Sequence, residues 1–259
     1  MASWIFVAIA ICLVSGLQAQ IDYCTTSYCT AGVKNVGCNP PETPGGPECN
    51  GKNPAVVEIT PALQTLILSE HNTRRSKLAL GQLDLFLPAI RMPTISWDEE
   101  LAKQAGNNAR SCKIGRDGCR NTAVYAWAGQ NVALSQFYGV TKTTEELLRE
   151  SIDAWWSERY VTTQAQLNSY PQGSAATAIG YFTQMVNDQT DKLGCAMQYL
   201  LDGEFQTYYT VCNYAVANIA ERPVYKNGPA GSGCTTGRNP ITALNGLCST
   251  AETINPVPN

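Results

Sequence analysis

Four cysteines, Cys24, Cys29, Cys38 and Cys49, fall within twenty-six positions of a segment rich in Gly, Pro and Asn and poor in apolar periodicity. Such a segment buries too little apolar surface to hold a shape alone and must be stapled to something larger. Six more cysteines lie downstream: Cys112, Cys119, Cys195, Cys212, Cys234 and Cys248. The eleventh, Cys12, belongs to residues 1–19, an uncharged stretch with an apolar run from Trp4 to Val14 and a small residue, Ala19, at its end. That run is too short to span a bilayer and reads as a cleaved secretory leader. Ten cysteines are then left, and an even count behind a leader predicts five disulfides and a secreted, extracellular protein. No close Cys-x-x-Cys pair supports zinc held by thiolates.

The chain divides into a leader (1–19), a Cys-rich extension (20–57), a main domain (58–221) and a loop-rich tail (222–259) expected to close on itself. In the main domain, Thr60 and Pro61 announce a helix that Gly81 stops, with Leu63, Leu66, Ile67, Arg74 and Leu78 on one side and His71 near its edge. A second helix starts at Ser96 or Asp98. A third runs from about Thr144 to Tyr160 and buries Leu147, Leu148, Ile152, Trp155 and Trp156. A shorter helix is expected over 176–188. Strands are expected over 130–136, 193–201 and 205–215, the last two joined at Asp202-Gly203. Eighteen basic against 21 acidic residues give a net charge of −3, which offers no electrostatic reason to expect nucleic acid or an anionic membrane as partner. Past the leader no apolar run is long enough for a membrane span.

Four stretches, "EHNTRR" (70–75), "GQNVAL" (129–134), "GYFTQMV" (180–186) and "VCNYA" (211–215), together with "AWWSER" (154–159), resemble the CAP family, also called sperm-coating or pathogenesis-related-1 proteins. The cysteines at both ends are similar to those of insect antigen 5, and the pair in the tail to its dipteran branch. The resemblance implies an α+β fold, a CAP-type α/β/α sandwich with a disulfide-stapled extension and a cysteine-containing tail. It also implies the pairs Cys24–Cys38, Cys29–Cys119, Cys49–Cys112 and Cys195–Cys212, leaving Cys234 with Cys248.

A CAP cleft typically carries two histidines and two glutamates, and the matching positions here are His71, Gln130, Glu158 and Tyr181. Half of that set is changed, and His71 is the only histidine of the chain. Gln130 is a neutral amide and Tyr181 a phenol of high pKa, so neither suits zinc, and no metal or other cofactor is expected. Tyr181 is expected to fill the cleft and donate its hydroxyl to Glu158 or Gln130. No Gly-x-Ser-x-Gly elbow accompanies a serine, no mature cysteine is left free, and Glu70 points about 100° away from its helix neighbour His71, against a site shared with Glu158, so the chain reads as a non-enzyme.

The resemblance implies binding instead: a fatty acid, sterol or other small apolar ligand, or a host or self protein, as in insect saliva or venom. The third helix and the strand around Tyr208 and Tyr209 are candidate walls for an apolar channel. The alternatives are an extracellular structural or reproductive protein without a ligand, and a residual hydrolase. The loop Gly115-Arg116-Asp117-Gly118 runs Gly-Arg-Asp, so the integrin tripeptide is absent and integrin blockade is not expected.

Overall fold

The chain enters its main domain along a short strand, β1 (Ala55–Val57). The computed structural model describes residues 21–25 and 27–257, so the leader expected over 1–19 lies outside the described residues. Thr60 starts α1 (Pro61–Ala79): its hydroxyl accepts from the Leu63 N–H, and Pro61 takes the first helical position, where no N–H is needed. β2 (Ser96–Trp97) leads into α2 (Glu99–Arg110), whose cap is Asp98, not Ser96, through a carboxylate on the Leu101 N–H. β3 (Gly129–Phe137) precedes α3 (Thr144–Ser157), where Thr143 and Glu146 cap each other reciprocally. That helix stops before Tyr160, tightening into a 3₁₀ turn over Glu158–Val161.

Three short helices follow, α4 (Gln164–Asn168), α5 (Gly173–Thr177) and α6 (Gly180–Met185). The single helix expected over 176–188 is therefore broken, at Ile179, whose backbone leaves the helical region. The hairpin of β4 (Lys192–Asp202) and β5 (Phe205–Tyr214) turns at Gly203, whose φ of 61° suits glycine.

The strands form one sheet in the order β1-β4-β5-β3, antiparallel throughout, with β2 alongside the start of β4 in parallel. Side chains alternate across it. Ala196, Tyr209 and Val211 meet Ala105 and Ala109 of α2 on one face. On the other, Leu193, Met197 and Tyr214 join Ile67 of α1 and Ile152 and Trp155 of α3 in the main core. This is an α/β/α sandwich. At Gly194 a Cβ would come 2.1 Å from the Ala102 nitrogen, so α2 lies on the sheet only because that position is bare. All five side chains expected inside from α3 are buried.

Five disulfides are formed: Cys24–Cys38, Cys29–Cys119, Cys49–Cys112, Cys195–Cys212 and Cys234–Cys248. Cys29–Cys119 and Cys49–Cys112 close 90 and 63 positions and fasten the extension to the end of α2 and the loop beyond it. Loops of that length correspond to about 4–5 kcal/mol each on the chain-entropy estimate.

The tail is packed into the domain as well as closed by Cys234–Cys248. Leu247 and Tyr225 are fully buried, the Cys248 N–H donates to the Met92 carbonyl, and a Cβ on Gly246 would strike the Ser76 carbonyl of α1 at 2.4 Å. With the tail on one side and α3 on another, α1 buries more than the stripe its spacing predicts. His71, placed near the edge of that stripe by sequence, is fully buried, as is Arg75, and Asn72 and Ser76 are buried beside them. Arg74, expected within the stripe, is instead paired with Glu70 and Asp153. Among the described residues no helix is long and apolar enough to cross a membrane.

Candidate functional site

α1 carries His71 one turn beyond Ile67, and Nδ1 lies 2.8 Å from the Ile67 carbonyl oxygen. A carbonyl only accepts, so Nδ1 bears the proton and Nε2 is the acceptor. Its donor is the Tyr214 hydroxyl at the end of β5, 2.9 Å away. Asn131 of β3 completes the chain of bonds, giving its amide N–H groups to the Tyr214 oxygen at 3.2 Å and to the Tyr181 carbonyl at 3.0 Å. Burial lowers the His71 pKa to about 4, overriding the Ile67 hydrogen bond, so the ring is neutral at physiological pH. Metal-ligating imidazoles characteristically give their second N–H to a carbonyl. His71 is oriented like such a ligand, but its other nitrogen belongs to a tyrosine.

Glu158 begins the 3₁₀ turn after α3, and its Oε2 accepts from the Tyr181 N–H at 2.7 Å and the Phe182 N–H at 2.9 Å. The carboxylate thereby holds the first turn of α6. Burial raises the Glu158 pKa, while those two N–H groups and the Arg116 charge pull it back. The contact between Tyr181 and Glu158 thus runs through the backbone. Among the described residues the Tyr181 hydroxyl reaches neither Glu158 nor Gln130, contrary to the expected donation. Gln130, buried on β3, is spent on the loop before it: Oε1 accepts from the Asp117 N–H, and Nε2 donates to Asp117 at 2.7 Å and Asn213 at 2.9 Å.

The residue that sequence reasoning overlooked is Arg116. Its guanidinium carbon lies 4.5 Å from the centre of the Tyr181 ring, within cation–π range, and its Nε donates to the Gln130 carbonyl at 2.9 Å. The available signal was its place between Cys112 and Cys119, both tied to the extension, which makes Gly115–Gly118 a short loop anchored at each end. Asp117 in the same loop pairs with Arg120. Arg116, Arg120, Gln130, Tyr170, Gln184 and Asn218 surround a residual cavity of about 130 Å³ that His71, Glu158 and Tyr181 do not line.

These residues do not fit a metal ion. The imidazole nitrogen free to coordinate accepts from Tyr214, one Glu158 oxygen takes two N–H groups, and the other two positions are an amide and a phenol. Among the described residues no three His, Cys, Asp or Glu side chains gather into a metal-holding set. Nor do Tyr208 and Tyr209 wall one channel, since neighbours on a strand face opposite ways. Tyr208 stacks on Phe137, while Tyr209 is fully buried with its hydroxyl on the Gly115 carbonyl. A groove of about 270 Å³ lies elsewhere, between the loop after α1 and the 3₁₀ turn, lined by Leu83, Leu85, Phe86, Arg159 and Tyr160 among others.

Comparison with known proteins agrees with this architecture. The model of the family described as "Cysteine-rich secretory protein family" (CAP) matches residues 68–214. "Venom allergen-1" of Aedes aegypti is 40% identical over 233 residues, covering 90% of this chain and 89% of its own length. "Antigen 5 like allergen Cul n 1" of Culicoides nubeculosus is 34% identical, covering 64% and 74%. Among solved structures, "Crystal structure of NaASP2 with Zn2+" superposes with a TM-score of 0.60 at 26% identity, covering 81% of this chain and 99% of that one.

Proposed function

The chain belongs to the Cysteine-rich secretory protein family and is antigen 5-like, and from that premise we propose that it is a secreted protein that acts by binding and not by catalysis. Its ligand is a small apolar molecule such as a fatty acid or sterol. The observation that carries this reading is the sealed histidine. A general base must reach the proton it removes, and the single imidazole is fully buried with both nitrogens bonded inside the protein. The NaASP2 crystal structure is one with Zn2+; in this chain Tyr214 stands where an ion would need the His71 lone pair.

Secretion is supported by the ten paired cysteines and by relatives named as venom allergens. The groove beside Leu85 and Tyr160 supports apolar binding. These side chains are 67% and 72% exposed, large for apolar and aromatic groups on one surface, and Phe86, which lines the groove, packs inward on Phe182. Native mass spectrometry of protein from its natural source tests the reading. The expected spectrum shows a bound lipid that organic extraction removes and that Leu85→Asp fails to retain. A ligand-free spectrum would point instead to an extracellular structural role or to a protein target.

A further inference from the structure

We propose that the 130 Å³ cavity beside Arg116 is a binding site for a small carboxylate, a site separate from the apolar groove. Its side-chain donors are spent inward with one exception. Arg120 gives its nitrogens to Asp117 and to the Ala128 carbonyl, Gln130 donates to Asp117 and Asn213, Gln184 to the Val216 carbonyl, and Asn218 to the Gly180 carbonyl and Thr183. Tyr170 donates to the Ala176 carbonyl. Arg116 is the exception. Its Nε is anchored on Gln130 and its plane lies over Tyr181, while Nη1 and Nη2 have no hydrogen-bond partner among the described residues.

Two parallel N–H donors on a fixed plane match the two oxygens of a carboxylate. Among the described residues no acidic side chain lines the cavity. Of the carboxylates nearby, Asp117 is engaged by Arg120, Asn108 and Gln130, and Glu158, which feels the Arg116 charge, holds the backbone of α6 through Oε2. Space is kept by Gly180, where a Cβ would stand 3.3 Å from Arg116 Nη2 and 3.4 Å from the Tyr170 hydroxyl, between the fork and the far wall. At about 130 Å³ and open to solvent, the cavity has room for a carboxylate and a few carbons.

The test is an amide and arginine Nε–H nuclear magnetic resonance titration of the full mature chain with acetate at constant ionic strength. Saturable shifts at Gly129, Gly180 and Arg116 are expected, with a Kd on the order of millimolar, as suits a single exposed fork. Arg116→Gln should weaken binding by at least about tenfold, and Arg116→Lys nearly as much, because charge without the fork does not supply the paired contact. Gly180→Ala keeps every charge and should also weaken binding by filling the space. Unchanged His71 and Tyr214 signals verify the fold of each variant. Shifts that do not saturate, an equal response in Arg116→Gln, or tighter binding of inorganic phosphate at the same amides would each overturn the assignment.

Discussion

The Tyr214 hydroxyl donates to Nε2 of His71 across 2.9 Å, joining residues 143 positions apart in a fully buried contact. Tyr214→Phe removes the donor to His71 and the acceptor of Asn131 while keeping the ring. A loss of about 1–3 kcal/mol is expected, the cost of a buried polar group left unmatched. Urea unfolding of the oxidised protein measures it, and a loss below about 0.5 kcal/mol would mean the bond contributes nothing.

Because the chain has one histidine, its titration is visible without assignment work. The folded pKa is about 4 and the ordinary value 6.5, so the unfolded chain takes up the proton first as pH falls. Stability contributed by neutral His71 is therefore complete above pH 6.5 and declines toward pH 4, by about 3 kcal/mol in all. Burial raises the pKa values of the Glu158, Asp188 and Asp191 carboxyls, whose contribution to stability therefore runs with the opposite sign. The imidazole resonance should stay at its neutral position down to about pH 5; a midpoint near 6.5 would show that the ring is solvated.

Glu158 ties the 3₁₀ turn to α6 through two backbone N–H groups. Glu158→Ala should cost about 1–2 kcal/mol, the scale of a lost helix cap, and Glu158→Gln distinctly less because an acceptor oxygen is kept. Hydrogen exchange at Tyr181 and Phe182 gives the local readout. Equal protection in wild type and Glu158→Ala would contradict the capping role.

Arg75 is the hub of the loop layer, with its guanidinium on the carbonyls of Met185, Asn187, Pro93 and Thr190. Burial lowers its pKa to about 9, and it stays charged at neutral pH. Lysine offers three donors on a point charge where arginine offers a plane, so Arg75→Lys should destabilise by at least about 3 kcal/mol despite the retained charge. A thermal midpoint within a degree or two of wild type would show that the loops hold without it.

The elements legible in the sequence are those whose deciding contacts are between near neighbours. Thr60 with Leu63, Thr143 with Glu146 and the Asp202-Gly203 turn are each closed within three residues, and the α3 face follows from helical spacing alone. The break at Ile179 escaped because Glu158, twenty-three positions before Tyr181, starts α6 separately by taking the Tyr181 N–H.

For the site, the sequence alone showed that two of the four cleft positions, Gln130 and Tyr181, are an amide and a phenol, side chains that suit zinc poorly. The motifs and cysteines were enough to name the family and its sandwich. Only the tertiary structure decided what the side chains at the cleft positions do: that His71 is capped by Tyr214, that Glu158 serves a helix, and that Arg116 lies over Tyr181. Composition limits which donors a chain possesses, but which lone pair faces which proton depends on distances across the sheet, and those exist only once β3, β5 and α6 have packed together.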